Sequence, residues 1–205
     1  MNKFEEAIFH SLDAAAELVR RTDNPRHRAI LNNYRKHAHL EGSAQFERIL
    51  SPEMTVDHPV YRIIMWGKTS ILDGKEQVLA FYQSLKDVIL WNTDESIAVA
   101  DWGFAAELTL HMLLPGTFLK QEGVDVDDVA ATYHYWSREA SVWPYSEDGK
   151  LIGEHVYEDK STQAFEKVDP ADLITPQRAE EIQKTLLARL EEELAHGPST
   201  AFPPL

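Results

Sequence analysis

The sequence has no cysteine, which excludes a disulfide framework, a thiol nucleophile and a cysteine-based zinc site. It is also poor in positive charge: 20 lysines and arginines stand against 34 aspartates and glutamates, a formal net charge of −14. That balance repels phosphate backbones, and no basic stripe with interleaved aromatics offsets it, so nucleic acid is not an expected partner. No apolar run approaches the roughly 18–20 residues of a membrane span, so no membrane partner is expected either. The N-terminus enters a charged helical pattern directly, without the apolar core of a signal peptide, and a cytoplasmic location is expected. No glycine-rich phosphate loop or dinucleotide fingerprint occurs. His37 and His39 lie two apart on a helical stretch, hence on different faces, and do not make a metal pair. Neither a metal nor a cofactor is expected.

What is present describes a globular chain: 43% hydrophobic residues and five tryptophans in 205 residues, enough for one domain with helical extensions. Phe4, Ile8, Leu12, Ala15 and Val19 recur at helical spacing over 3–21, and Asn24-Pro25 breaks that helix. A second helix is expected from about Arg26 to Leu40, a short one to about Leu50, and another from Lys75 to about Val88. Between them Met54, Val56, His58 and Val60 alternate with polar residues, which predicts a strand over 54–62. Further strand-like segments run over 96–100, 104–114, 130–145 and 151–159, with Glu147-Asp148-Gly149-Lys150 as a hairpin turn between the last two. Pro115–Asp128 reads as a flexible loop or lid. Thr175-Pro176 opens a final helix with a stripe of Ile182, Leu186, Leu190 and Leu194, which Gly197-Pro198 ends ahead of a Phe202-Pro203-Pro204 tail. Helices followed by antiparallel strands indicate an α+β fold, a curved antiparallel sheet whose concave face is covered by helices and encloses a ligand site.

Three segments carry a resemblance to a known family. They are Thr55-Val56-Asp57-His58-Pro59-Val60, the helix opening Gly74-Lys75-Glu76-Gln77-Val78-Leu79-Ala80-Phe81-Tyr82, and the hairpin Trp143-Pro144-Tyr145-Ser146-Glu147-Asp148-Gly149-Lys150-Leu151. Together they resemble the nuclear transport factor 2-like superfamily, in its SnoaL-like and ketosteroid isomerase-like branch. The resemblance implies a cone-shaped α+β barrel over 26–168, flanked by an N-terminal helical extension (1–25) and a C-terminal helix and tail (169–205). It also implies the site. Tyr34 matches the tyrosine that donates to a substrate oxyanion, and His58 stands where the proton-abstracting carboxylate precedes the strand proline. Ser141 falls near the second oxyanion donor. His39 lies where related dehydratases carry an acid, and His155 near where other relatives place a catalytic carboxylate.

The residues themselves add to this. His58 shares its expected strand face with apolar neighbours, and an imidazole suits a base near neutral pH. Tyr133 to Tyr145 alternate on one face of their strand, so Glu139 and Trp143 join Ser141 on it. That set or the opposite one lines the pocket. Tyr61, Phe81 and Tyr157 complete the expected substrate contacts. Each residue alone is equally compatible with packing. The function expected is a cofactor-free acid–base lyase (a dehydratase or a deformylating, retro-aldol-type enzyme) or an isomerase. Its substrate would be a small apolar, aromatic or polycyclic compound. Epoxide hydrolysis and a non-enzymatic ligand-binding or assembly module are the alternatives, and a homodimer is expected.

Overall fold

A computed structural model describes residues 1–196; the Gly197-Pro198 stop and the 202–204 tail lie outside them. The helices are α1 (Lys3–His10), α2 (Asp13–Arg21), α3 (Pro25–Gly42), α4 (Phe46–Ile49), α5 (Lys75–Ser84), α6 (Gly116–Gln121) and α7 (Pro176–His196). The strands are β1 (Val60–Met65), β2 (Lys68–Asp73), β3 (Ile89–Ala100), β4 (Gly103–Pro115), β5 (Thr132–Pro144) and β6 (His155–Lys167). They form one open, mixed sheet in the order β2-β1-β6-β5-β4-β3. Neighbours run antiparallel except β1 and β6, which are parallel, so the wholly antiparallel expectation is corrected there.

Local chemistry explains the boundaries. Asn2 caps α1 in a capping box with Glu5, and the Asn24 side chain accepts from Arg26 and His27 to start α3 with Pro25 in its first turn. The single helix expected over 3–21 is broken at Ser11-Leu12. The break lets α1 lie against α7 and β3 while α2 lies against α3. The β3–β4 turn leaves Gly103 at φ 144°, where a Cβ would fall 2.1 Å from the Trp143 carbonyl oxygen. Only glycine fits there. Trp66 and Gly67, at φ 56° and 70°, make the two-residue turn between β1 and β2, a hairpin the sequence reading missed. The segment Pro115–Asp128 holds α6 rather than a bare loop.

Two layers of apolar packing result. Inside the curve of the sheet, Tyr34, Leu40, Phe46, Ile49 and Tyr82 pack on Phe104, Trp143 and Tyr145; Leu12, Ala15 and Leu187 from the terminal helices share this cluster. At the β3–β4 edge, Phe4 and Ile8 meet Trp91 and the Ile182 and Leu186 positions of α7. Each Leu or Ile buried this way contributes about 1.5–3 kcal/mol, which is ample to hold α7 on the fold. No helix among the described residues is long and apolar enough to cross a membrane.

Candidate functional site

The inner face of β4 presents Phe104, Ala106, Leu108, Leu110 and Met112, because alternate residues of a strand share a face. With Ile63 and Met65 of β1, Val156 of β6, and Ala38 and Phe81 of α3 and α5, they enclose a cavity of about 580 Å³. This suits an organic ligand of moderate size. A second hollow, beside Glu41 and Gln183, offers about 20 Å³, room for a single water.

The apolar wall is interrupted by Tyr34 and Glu41 from α3, Asn92 from β3, Glu139, Ser141 and Trp143 from β5, and Glu154 just ahead of β6. Tyr34 and Glu41 are seven residues apart, two helical turns, and so share a face of α3. Glu154 accepts from the Tyr82 hydroxyl at 3.1 Å. The His37 Nε2 lies 2.7 Å from that hydroxyl, 3.8 Å from Glu154 and 4.0 Å from Glu41. Tyr82 has one proton, so when it donates to Glu154 the His37 Nε2–H donates to Tyr82. The buried Nδ1 of His37 then has no partner, and an unpaired lone pair costs less than an unpaired N–H.

Burial dominates the electrostatics. It pushes His37 down to about 3, so the ring is neutral. It raises Glu41, and it raises Glu154 well above the usual carboxyl range, with Glu41 adding to the effect. Glu139 is pushed to about 8 by burial and by the nearby Glu158. Among the described residues no lysine or arginine acts on any of these three carboxyls. Glu139 also leaves Oε1 buried and unpaired, and Trp143 does the same with its indole N–H.

Tyr34 donates to Glu95 at 2.5 Å and accepts from Asn92 at 3.3 Å. Glu95 reaches this inward position because β3 slips register between Thr93 and Ser96, with Asp94 at φ 52°. Such a bulge exchanges the faces of the residues before and after it. Asn92 therefore faces inward ahead of the bulge, and Glu95 after it. Burial raises Glu95 to about 7, against the opposing effect of the Tyr34 hydrogen bond.

Of the residues singled out from the sequence, Tyr34, Phe81, Glu139, Ser141 and Trp143 line the cavity. His58 does not, which corrects its placement as the base. Its side chain is 70% exposed and its Nε2 lies 2.7 Å from Asp73 Oδ1. The alternation over 54–60 is not a strand. Pro59 has no N–H to give the ladder, so β1 begins only at Val60, whose N–H bonds the Ile152 carbonyl. His39 is buried on another face of α3, with Nδ1 2.7 Å from Gln183 Oε1 of α7. Five residues from Tyr34 is well off one helical face. Tyr61 is buried behind the wall, 3.4 Å from the Tyr82 hydroxyl. His155 and Tyr157 sit on the outward parity of β6, whereas Glu154 and Val156 take the inward one. Glu41, Glu95, Glu154 and His37 were missed as site residues. The i+3 and i+7 spacing from Tyr34 marked His37 and Glu41, while the β3 bulge left no signal in the sequence. Among the described residues no group of three or more His, Asp or Glu is placed to hold a metal.

The strand order, with α3 to α5 packed inside the curve of the sheet, settles the architecture. The fold is nuclear transport factor 2-like. No family model matches the chain, and no curated protein matches its sequence. Among solved structures, the chain is similar to a hexachlorocyclohexane dehydrochlorinase from Novosphingobium barchaimii at 12% identity. That match covers 80% of this chain and 99% of that one, with a TM-score of 0.49. A Mycobacterium tuberculosis protein solved with estradiol-17beta-hemisuccinate is 15% identical, over 67% and 98% of the chains, at 0.47. A phenazine biosynthesis-related protein from Pseudomonas aeruginosa is 14% identical, over 74% and 87%, at 0.42. At this distance these likenesses assign no reaction.

Proposed function

We propose that the chain is a cofactor-free acid–base enzyme, a lyase or isomerase, acting on a small and largely apolar substrate held in the cavity. One observation carries this reading: Glu41, Glu139 and Glu154 open on a largely apolar cavity, with no basic side chain among the described residues acting on them. Carboxyls so placed cost stability, since apolar residues of similar size would be neutral or better there. Carboxyls tuned toward neutrality are what proton transfer at physiological pH requires.

The roles follow from the geometry. Glu41 and Glu154 flank the same imidazole nitrogen and each disfavours the other's ionisation, so the first proton to leave is lost from the pair. The resulting carboxylate takes a proton from a substrate carbon. The other, still neutral, gives a proton to a departing hydroxyl in an elimination, or to a second carbon in an isomerisation. His37 and Tyr82 hold Glu154 in place. On β5, protonated Glu139, the Ser141 hydroxyl and the unpaired Trp143 N–H share one face and donate to a substrate oxygen as it gains charge.

A nitrobenzisoxazole tests the base without knowledge of the natural substrate, because loss of its ring C–H proton breaks the N–O bond and releases a coloured phenolate. The expected result is turnover above a carboxylate-buffer background that falls by about 10²–10⁴-fold in Glu154→Gln. Turnover no faster than buffer, or unchanged in Glu41→Gln and Glu154→Gln, would contradict the reading and leave ligand binding without catalysis.

A further inference from the structure

We infer that the ligand of this cavity carries a basic nitrogen: it is a small hydrophobic amine that seats its charge among Glu41, Glu139 and Glu154. The inference names the substrate class of the reaction proposed above and rests on that reading only in sharing its cavity.

The groups that face the polar end come from every surrounding element. Tyr34, His37 and Glu41 are on α3, Tyr82 on α5, Glu95 on β3, Glu139 on β5 and Glu154 ahead of β6. None of them is a cation, because His37 is neutral. The one lysine on the lining among the described residues, Lys68, is largely exposed and tied to Glu122 at 2.6 Å. An anionic ligand would therefore meet no cation, whereas an ammonium meets carboxyls that can ionise to pair with it.

Two observations beyond the clustering of the acids point to a ligand. Glu139 is only 5% exposed, lines the cavity and has an oxygen with no partner inside the protein. The aromatic residues Tyr34, Tyr82, Phe104 and Trp143 also line the cavity, and aromatic rings attract a desolvated cation. A charge-assisted bond from an ammonium to Glu139 or Glu154 would fill the vacant acceptor and leave the apolar body of the ligand against the β4 residues.

The test compares three probes of one shape, naphthylethylamine, naphthylethanol and naphthylacetate, titrated into the full chain by calorimetry near neutral pH. The amine is expected to bind about tenfold or more tighter than the alcohol, with no measurable binding of the acetate. Glu139→Gln and Glu154→Gln should each shrink that preference. Runs in two buffers of different ionisation enthalpy should show proton release with the amine alone, as a carboxylic acid ionises to meet it. Equal binding of amine and alcohol, preference for the acetate, or binding of none of the three would overturn the inference on the wild-type chain, whatever the variants do. The nitrobenzisoxazole is neutral, so its result is independent. Turnover without amine preference sinks only this inference, and amine preference without turnover sinks only the proposed reaction.

Discussion

Arg138 and Glu139 are neighbours on β5, yet they live in opposite environments. Arg138 points outward, where it meets Glu107 at 2.5 Å and Thr109 at 3.2 Å. Glu139 points inward, finds no cation and keeps its proton to about pH 8. One step of the strand pleat separates a solvated ion pair from an isolated buried acid. The fold has a partner for Glu139 one residue away and turns it to the other face. The lesson is that the inner carboxyls are held unpaired by the strand register. Five substitutions probe that contrast, in descending order of expected effect.

Glu154→Gln removes one of the two carboxyls beside His37, and turnover of the benzisoxazole probe should fall by about 10²–10⁴-fold with thermal stability kept. Glu139→Gln should change the pH dependence of stability. A carboxyl whose folded pKa is raised binds more protons in the folded state than in the unfolded one, so stability falls as pH climbs from the ordinary value of 4.5 to about 8, then levels off. Glu139 should account for a loss on the order of 4 kcal/mol across that window, in addition to those from Glu41, Glu95 and Glu154, and denaturant melts of the variant should lack that contribution.

Tyr34→Phe takes from Glu95 the hydroxyl that donates to it and should cost about 1–3 kcal/mol in the same melts. Because the Tyr34 hydrogen bond lowers Glu95, that carboxyl should also titrate higher in the variant. On the outer face, Arg138→Ala should cost no more than about 1 kcal/mol, less at high salt, as exposed pairs do. His58→Ala should leave probe turnover unchanged; a loss there would return the exposed histidine to the mechanism.

Much of the architecture was legible. Asn24-Pro25 and Thr175-Pro176 announce helix starts through cap chemistry that needs no tertiary context. Asp148-Gly149 marks a real turn, with Gly149 at φ 79° and its N–H on the Ser146 carbonyl, although β6 starts only at His155. The β5 pattern also carried its site residues, because the aromatic and small residues from Tyr133 to Tyr145 keep one parity throughout.

Parity failed where the ladder is interrupted. At 54–60 the alternation is genuine, but Pro59 withholds the N–H a strand needs and His58 is left at the surface. In β3 the bulge at Asp94 swaps faces without a glycine or proline to announce it. On the first part of β6 the inward set is the even residues, as the pairing Ser141↔Val156 reveals, and beyond a break in the ladder it is the odd ones, as Tyr135↔Phe165 shows. The carboxyls were hidden for a simpler reason: in a chain with 34 acidic residues, the few that are buried look like all the rest.

The central claim is that the inner carboxyls hold their protons into the neutral range. Carbon-detected NMR of the chain labelled at the glutamate side-chain carboxyl carbon, followed through a pH titration, measures this directly. The expected result is a resonance that titrates near 8 and vanishes in Glu139→Gln, together with one near 7 that moves upward in Tyr34→Phe. A chain in which every glutamate titrates close to the ordinary 4.5 would contradict it.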